Sequence, residues 1–131
     1  MMKVLIIEDN VTVTTLYRNM LRAAGFTVET AADGATGLAA VSSFRPDVVL
    51  LDLMLPAVDG LSVLRTLRAD PEWAALPIVV FSNSYSGQRL NEVWDAGATQ
   101  VLAKASSTPK QVVEAVRATL TVRTSGETSR S

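Results

Sequence analysis

Glu8 and Asp9 stand side by side after a short apolar run, and Asp52, Ser82 and Lys104 each follow the end of another. The chain contains no cysteine and no histidine. That excludes thiol nucleophiles, thiolate metal sites and disulfide scaffolds, together with imidazole as base, metal ligand or phosphocarrier. Chemistry here must rest on carboxylates, hydroxyls, a lysine and a bound cation. If the apolar runs are parallel strands of one sheet, these five residues meet in one crevice. Three carboxylates there would repel one another, a tension that protonation or a cation relieves. Lys104 supplies one positive charge. An all-oxygen site with room for water suits Mg²⁺ better than zinc, which would require the missing His or Cys. With such an ion bound, Asp52 can attack an electrophilic phosphorus and form an acyl phosphate. Lys104 and the ion would then balance charge on the transferring oxygens, and Ser82 would donate a hydrogen bond to one of them.

Taken singly, most of these residues have plainer readings. Glu8-Asp9 is a turn in which Asp9 or Asn10 caps a helix. Ser82 is a strand-end hydroxyl and Lys104 a solvated charge. Asp52 resists this treatment, because an acid in a crevice is costly without a partner. The joint placement of the five favours function. Asp59-Gly60 reads as turn and cap, Gly97 as a helix end, and Trp73 and Trp94 as buried by default.

The elements that must position these residues follow from the hydrophobic pattern. Apolar runs at Val4 to Ile7, Thr27 to Ala31, Val48 to Leu51, Ile78 to Phe81 and Gln100 to Ala103 alternate with segments of helical period. Val13, Leu16, Tyr17, Met20, Leu21 and Ala24 form one helix face ended by Gly25. A second helix runs from Asp33 to Phe44, weakened by Gly34 and Gly37, with Pro46 just beyond. Asp59 caps a third carrying Leu61, Leu64 and Leu67, and a fourth spans roughly Ser86 to Ala96. Thr108, Pro109 and Gln111 start the fifth with a capping box. Strict alternation predicts a three-layer, doubly wound α/β domain, (βα)5 and flavodoxin-like, with a parallel sheet of order 2-1-3-4-5. That order puts the alternating run Thr27 to Ala31 at an edge and opens the crevice beside the first and third strands.

With 131 residues, nearly half of them apolar, the chain has room for one folded domain. We expect it over residues 1–121, with 122–131 as a polar tail that has nothing to bury and no structure. Net charge is −1 and the basic residues are scattered, so the sequence offers no basic stripe for direct nucleic acid binding. The apolar start is too short for a signal peptide or membrane span, and the absence of cysteine fits a cytoplasmic protein.

The stretches Val4-Leu5-Ile6-Ile7-Glu8-Asp9, Asp47 to Pro56, Asp59-Gly60, Ile78 to Ser82, and Ala96-Gly97-Ala98 leading to Lys104 resemble the receiver domain of bacterial two-component response regulators, over residues 3 to about 121. The resemblance implies a phosphoprotein of a phosphorelay, here as a stand-alone receiver or as a piece of a longer regulator. Asp52 would be its phosphoacceptor, charged by a sensor histidine kinase or phosphotransfer protein. It further implies Asp9, Asp52 and the backbone carbonyl of Met54 as Mg²⁺ ligands, Glu8 as a ligand through water, Lys104 paired with the phosphoryl oxygens, and Ser82 as the hydroxyl that reports phosphorylation. The output would be changed contacts with a downstream protein, and a homodimer through the face of the fourth helix, fifth strand and fifth helix. Such a domain is not an enzyme beyond self-catalysed transfer and dephosphorylation. Bulky Met54, beside the approach of water with Ser84, is expected to slow that loss.

Two positions depart from the family pattern. Val101 stands where an aromatic residue usually follows the hydroxyl, and Ala105 stands where proline usually follows the lysine; Tyr85, in the loop just after Ser82, could substitute for the aromatic but reads first as a solvated loop tyrosine. A cis bond before a residue other than proline costs about 2.5–4 kcal/mol, so Lys104-Ala105 is expected to be trans. Three other readings compete with this one. A haloacid-dehalogenase-type aspartyl-phosphate phosphatase would carry an acid at the position of Met54. A pseudo-receiver binding module would signal without phosphorylation, and a flavodoxin-like cofactor binder follows only by analogy of fold.

Overall fold

The structure, a computed structural model, describes residues 2–82, 87–103 and 107–130. Five strands alternate with five helices: β1 (Lys3–Ile7), α1 (Val11–Ala23), β2 (Thr27–Ala31), α2 (Gly34–Phe44), β3 (Val48–Asp52), α3 (Gly60–Ala69), β4 (Ile78–Ser82), α4 (Gly87–Asp95), β5 (Gln100–Ala103) and α5 (Pro109–Arg130). The strands form one parallel sheet of order β2-β1-β3-β4-β5, as the sequence predicts.

Burial explains that order. Every residue of β3 and β4 is buried, so both strands need cover on two faces and take the centre. β2 alternates between exposed and buried positions, and β5 is only partly covered, so these two form the edges. Successive side chains enter two separate cores, as a pleated strand demands. Leu5, Ile7, Val49, Leu51 and Val80 pack with residues of α2 and α3. Val4, Ile6, Leu50, Val79 and Phe81 pack with α1 and α5. On that second face the Tyr17 and Phe81 rings meet edge to face, with centroids 5.4 Å apart. Each fully buried side chain of this kind contributes about 1.5–3 kcal/mol.

The helix starts carry the expected caps. Asn10, rather than Asp9, caps α1 by accepting from the Val13 amide at 3.1 Å. Asp33 and Asp59 cap α2 and α3 by accepting from Thr36 and Ser62 at 2.7 and 2.8 Å. The Thr36 amide also holds the Asp33 carboxyl below the usual carboxylate range. In α5 the capping box is reciprocal: Thr108 donates to Gln111 at 2.8 Å, and Gln111 donates back at 3.1 Å.

Two expectations need correction. Trp73 is buried, but Trp94 is 44% exposed on α4, because it lies one residue, hence about 100° of helix, beyond the buried Val93. The backbone of α5 is helical to Arg130, where the composition predicted a tail without structure. Once a helix is nucleated, each added residue gains its backbone bond without needing a core to bury. No described helix is long and apolar enough to cross a membrane.

Candidate functional site: an acidic cluster at the carboxyl ends of β1 and β3

The sheet order reverses at β1, which pairs with β2 on one side and β3 on the other. The connections leaving β1 and β3 therefore depart to opposite faces, and a crevice opens between them. Asp52 is the last residue of β3, and Glu8 and Asp9 follow β1 directly. Ligand oxygens of Glu8, Asp9 and Asp52 all lie within 4.8 Å of one another. Glu8 and Asp52 are buried, while Asp9 faces solvent.

Local hydrogen bonds set these side chains. Glu8 continues the β1 ladder by donating its amide to Ala31 at 3.0 Å. Its carboxylate accepts from the Asn10 amide at 3.1 Å, at the turn into α1. Asp52 Oδ1 accepts from the Met54 amide at 3.1 Å, while the Met54 side chain is exposed. Ser82 is fully buried at the end of β4, one residue beyond Phe81, which is the register partner of Asp52. Four predicted site residues, Glu8, Asp9, Asp52 and Ser82, thus lie at the same end of neighbouring strands. Lys104 lies outside the described residues, as do Ser84, Tyr85 and the Lys104-Ala105 bond. Val101 is half-buried in β5 against the core beneath α2 and α3.

The loop after Asp52 is held tightly. The Gly60 amide donates to the Leu53 carbonyl at 2.9 Å, bringing the start of α3 against the end of β3. A Cβ on Gly60 would collide with the Asp52 carbonyl oxygen and lie 2.6 Å from Leu53 Cα. Gly60 therefore shapes the acidic pocket, although its sequence context signals only a turn. Within the same loop Ala57 sits at φ 60°, a left-handed conformation that costs an L-residue about 1–2 kcal/mol.

The donor set fits a hard divalent cation. Glu8 and Asp52 are buried carboxylates within 4.8 Å, and two such charges repel by about 3 kcal/mol at an effective dielectric near 20. Oxygen-only ligands with one solvent-facing carboxylate suit Mg²⁺ with retained water. A cleft of about 190 Å³ opens beside Glu8 and Asp9, lined also by Thr14, Thr15, Arg18 and Thr30. A larger groove, about 350 Å³, lies at the opposite end of the sheet between Pro77, Thr99 and α5, and among the described residues no acidic or basic one lines it.

Comparison with known proteins agrees with this geometry. The family model described as "Response regulator receiver domain" matches residues 4–117. The chain is 36% identical over 118 residues to the DNA-binding response regulator MtrA of Mycobacterium tuberculosis, a match covering 90% of this chain and 50% of MtrA. It thus spans about half the length of that relative. Among solved structures, the chemotaxis response regulator CheY4 of Vibrio cholerae superposes with TM-score 0.84 at 28% identity, covering 91% of this chain and 98% of that one. A CheY-like receiver domain protein from Methanospirillum hungatei gives TM-score 0.89 at 21% identity, covering 96% and 98%, and supports the fold alone.

Proposed function

The chain belongs to the response regulator receiver domain family, and from that premise we propose that Asp52 is its phosphoacceptor, in a pocket that holds Mg²⁺ on Glu8, Asp9 and Asp52. A receiver domain of two-component signalling passes on a signal rather than turning over a substrate. The observation that carries the assignment is the buried Asp52 carboxylate at the switch point, within 4.8 Å of two further acids.

In the proposed transfer the donor is a phosphohistidine of a sensor histidine kinase or phosphotransfer protein. An Asp52 oxygen forms a bond to phosphorus as the bond from phosphorus to imidazole nitrogen breaks, and the released imidazole takes its proton from solvent. No protein base is required, because Asp52 attacks as the carboxylate. Bound Mg²⁺ would offset negative charge on the phosphoryl oxygens, with the Met54 carbonyl completing its protein ligands. Lys104 pairs with those oxygens and Ser82 hydrogen-bonds one of them, which links the chemistry to the end of β4. The exposed Met54 side chain restricts the approach of water and slows dephosphorylation.

The output runs through protein contacts on the face of α4, β5 and α5, including a homodimer by that face. Exposed Trp94 supports that assignment. With net charge −1 and no basic stripe, these residues make no direct nucleic acid contact in this reading, although the longer MtrA is described as DNA-binding. The domain works in the cytoplasm.

Incubation with Mg²⁺ and acetyl phosphate, followed by intact mass, tests the proposal. The wild type should gain one phosphoryl group, and chelation of Mg²⁺ or Asp52→Asn should abolish the gain. Equal gain in Asp52→Asn would refute it. No gain in either protein would favour the pseudo-receiver.

A further inference from the structure

Arg68, in the last turn of α3, takes no part in the acidic pocket, yet it joins three segments. Its Nε donates to the Gly97 carbonyl at 2.8 Å, its Nη1 to the Trp73 carbonyl at 3.0 Å, and its Nη2 to Thr99 Oγ1 at 3.4 Å. Thr99 is itself tied to β4: its hydroxyl accepts from the Ile78 amide at 3.0 Å, and its own amide donates to the Ile78 carbonyl at 2.9 Å. The guanidinium thus clamps the turn after α4 to the end of α3 and the start of β4.

The helix it clamps is anchored at its C-terminal end. Among the described side chains of α4, only Val93, in the last turn, is fully buried; Asn91, Trp94 and Asp95 are exposed. The C-terminal turn is closed by the Ala96, Gly97 and Ala98 amides, which donate to the carbonyls of Glu92, Trp94 and Val93 at 2.9, 3.0 and 3.3 Å. Gly97 takes φ 103°, and a Cβ there would lie 2.9 Å from Arg68 Cγ and Nε, so the turn and the arginine fit only with glycine between them. The other end of α4 begins five residues after buried Ser82. Apolar packing and ionic hydrogen bonding both hold the end far from Asp52.

We propose that Arg68 is a positioning residue for signal output, a pivot that fixes the C-terminal end of α4 so that a change at Asp52 and Ser82 tilts its near end. The inference rests on the phosphoacceptor reading and adds to it the means of transmission. A helix pinned at one end converts a small displacement at the other into a change of angle. Without the pin, α4 samples its orientations before phosphorylation, and the event has less left to change.

Because the chain has no cysteine, Asn91→Cys supplies a single attachment point for an environment-sensitive fluorophore on the exposed side of α4. The label is read before and after Mg²⁺ and acetyl phosphate, in the Arg68 parent, Arg68→Met and Arg68→Lys, with phosphoryl gain followed by intact mass on the same samples. We expect equal phosphoryl gain in all three, a clear signal change in the parent, and a change reduced to less than half in Arg68→Met. Arg68→Lys keeps the charge but cannot span three acceptors, so it should fall between them, and it carries the test if Arg68→Met fails to fold. An undiminished signal change at equal phosphoryl gain, with only a lower Tm, would make Arg68 a structural clamp and overturn the proposal. Phosphoryl gain in the parent without any signal change would overturn it too. No phosphoryl gain in the parent refutes the phosphoacceptor reading itself and removes the basis of the pivot.

Discussion

The two ends of the sheet treat charge in opposite ways. At the amino ends of the strands, ionic groups meet complementary partners. Asp47 accepts from the Lys3 amide at 2.8 Å, the Lys3 ammonium donates to the Phe44 carbonyl at 3.0 Å, and Arg68 serves three acceptors. Arg45 pairs with Glu72 at 2.9 Å and lies over the Trp73 ring at 4.9 Å. At the carboxyl ends the chain gathers three acids of one sign, two of them buried. A fold built for stability alone would not concentrate like charge where burial is deep. The amino end ties segments together through paired charges, whereas the carboxyl end gathers acids that fit a divalent cation.

Substitutions at the two ends should therefore show in different measurements, stability at the amino end and ion binding or phosphoryl uptake at the carboxyl end. Arg68→Met strands partly buried carbonyls that had charged donors, and we expect a loss of about 2–3 kcal/mol in urea unfolding. A neutral effect would break the contrast. Gly60→Ala forces a methyl group against the Asp52 and Leu53 backbone, with an expected loss of about 1–3 kcal/mol and slower phosphoryl uptake, because the atoms that must yield belong to the pocket. Loss of stability with unchanged uptake would separate Gly60 from the chemistry. Asp9→Asn takes away a carboxylate that would hold Mg²⁺, and its effect is read on the ion rather than on the fold. The same substitution should remove most of the rise in Tm that Mg²⁺ gives the wild type. An undiminished rise in Tm in Asp9→Asn would place the ion on other ligands. Truncation after Thr121 should change stability by less than about 0.5 kcal/mol, since the last buried side chain described is Leu120.

Much of this contrast is legible in the sequence because it follows from local pattern. Unbroken apolar runs at Val48 to Leu51 and Ile78 to Phe81 mark the central strands, the alternation of Thr27 to Ala31 marks an edge, and the acids fall at strand ends by position alone. Caps are legible for the same reason, since Asn10, Asp33 and Asp59 each meet an amide three residues on. The rest depends on contacts between distant residues. Arg68 reaches Gly97 across 29 positions, and no local period marks either partner. Gly60 reads as a turn residue until the approach of α3 to Asp52 is seen. Trp94 reads as core by type, and only the orientation of α4 turns it outward. The helical backbone beyond Thr121 has no apolar period to announce it.

The central claim is that the acids at the carboxyl end exist to place one phosphoryl group on Asp52. After reaction with acetyl phosphate and Mg²⁺, borohydride reduces an aspartyl phosphate to homoserine, which peptide mass spectrometry locates by residue. Homoserine is expected at position 52 and at no other aspartate. Conversion at Asp9 or elsewhere, or a phosphorylated protein with Asp52 unmodified, would contradict it.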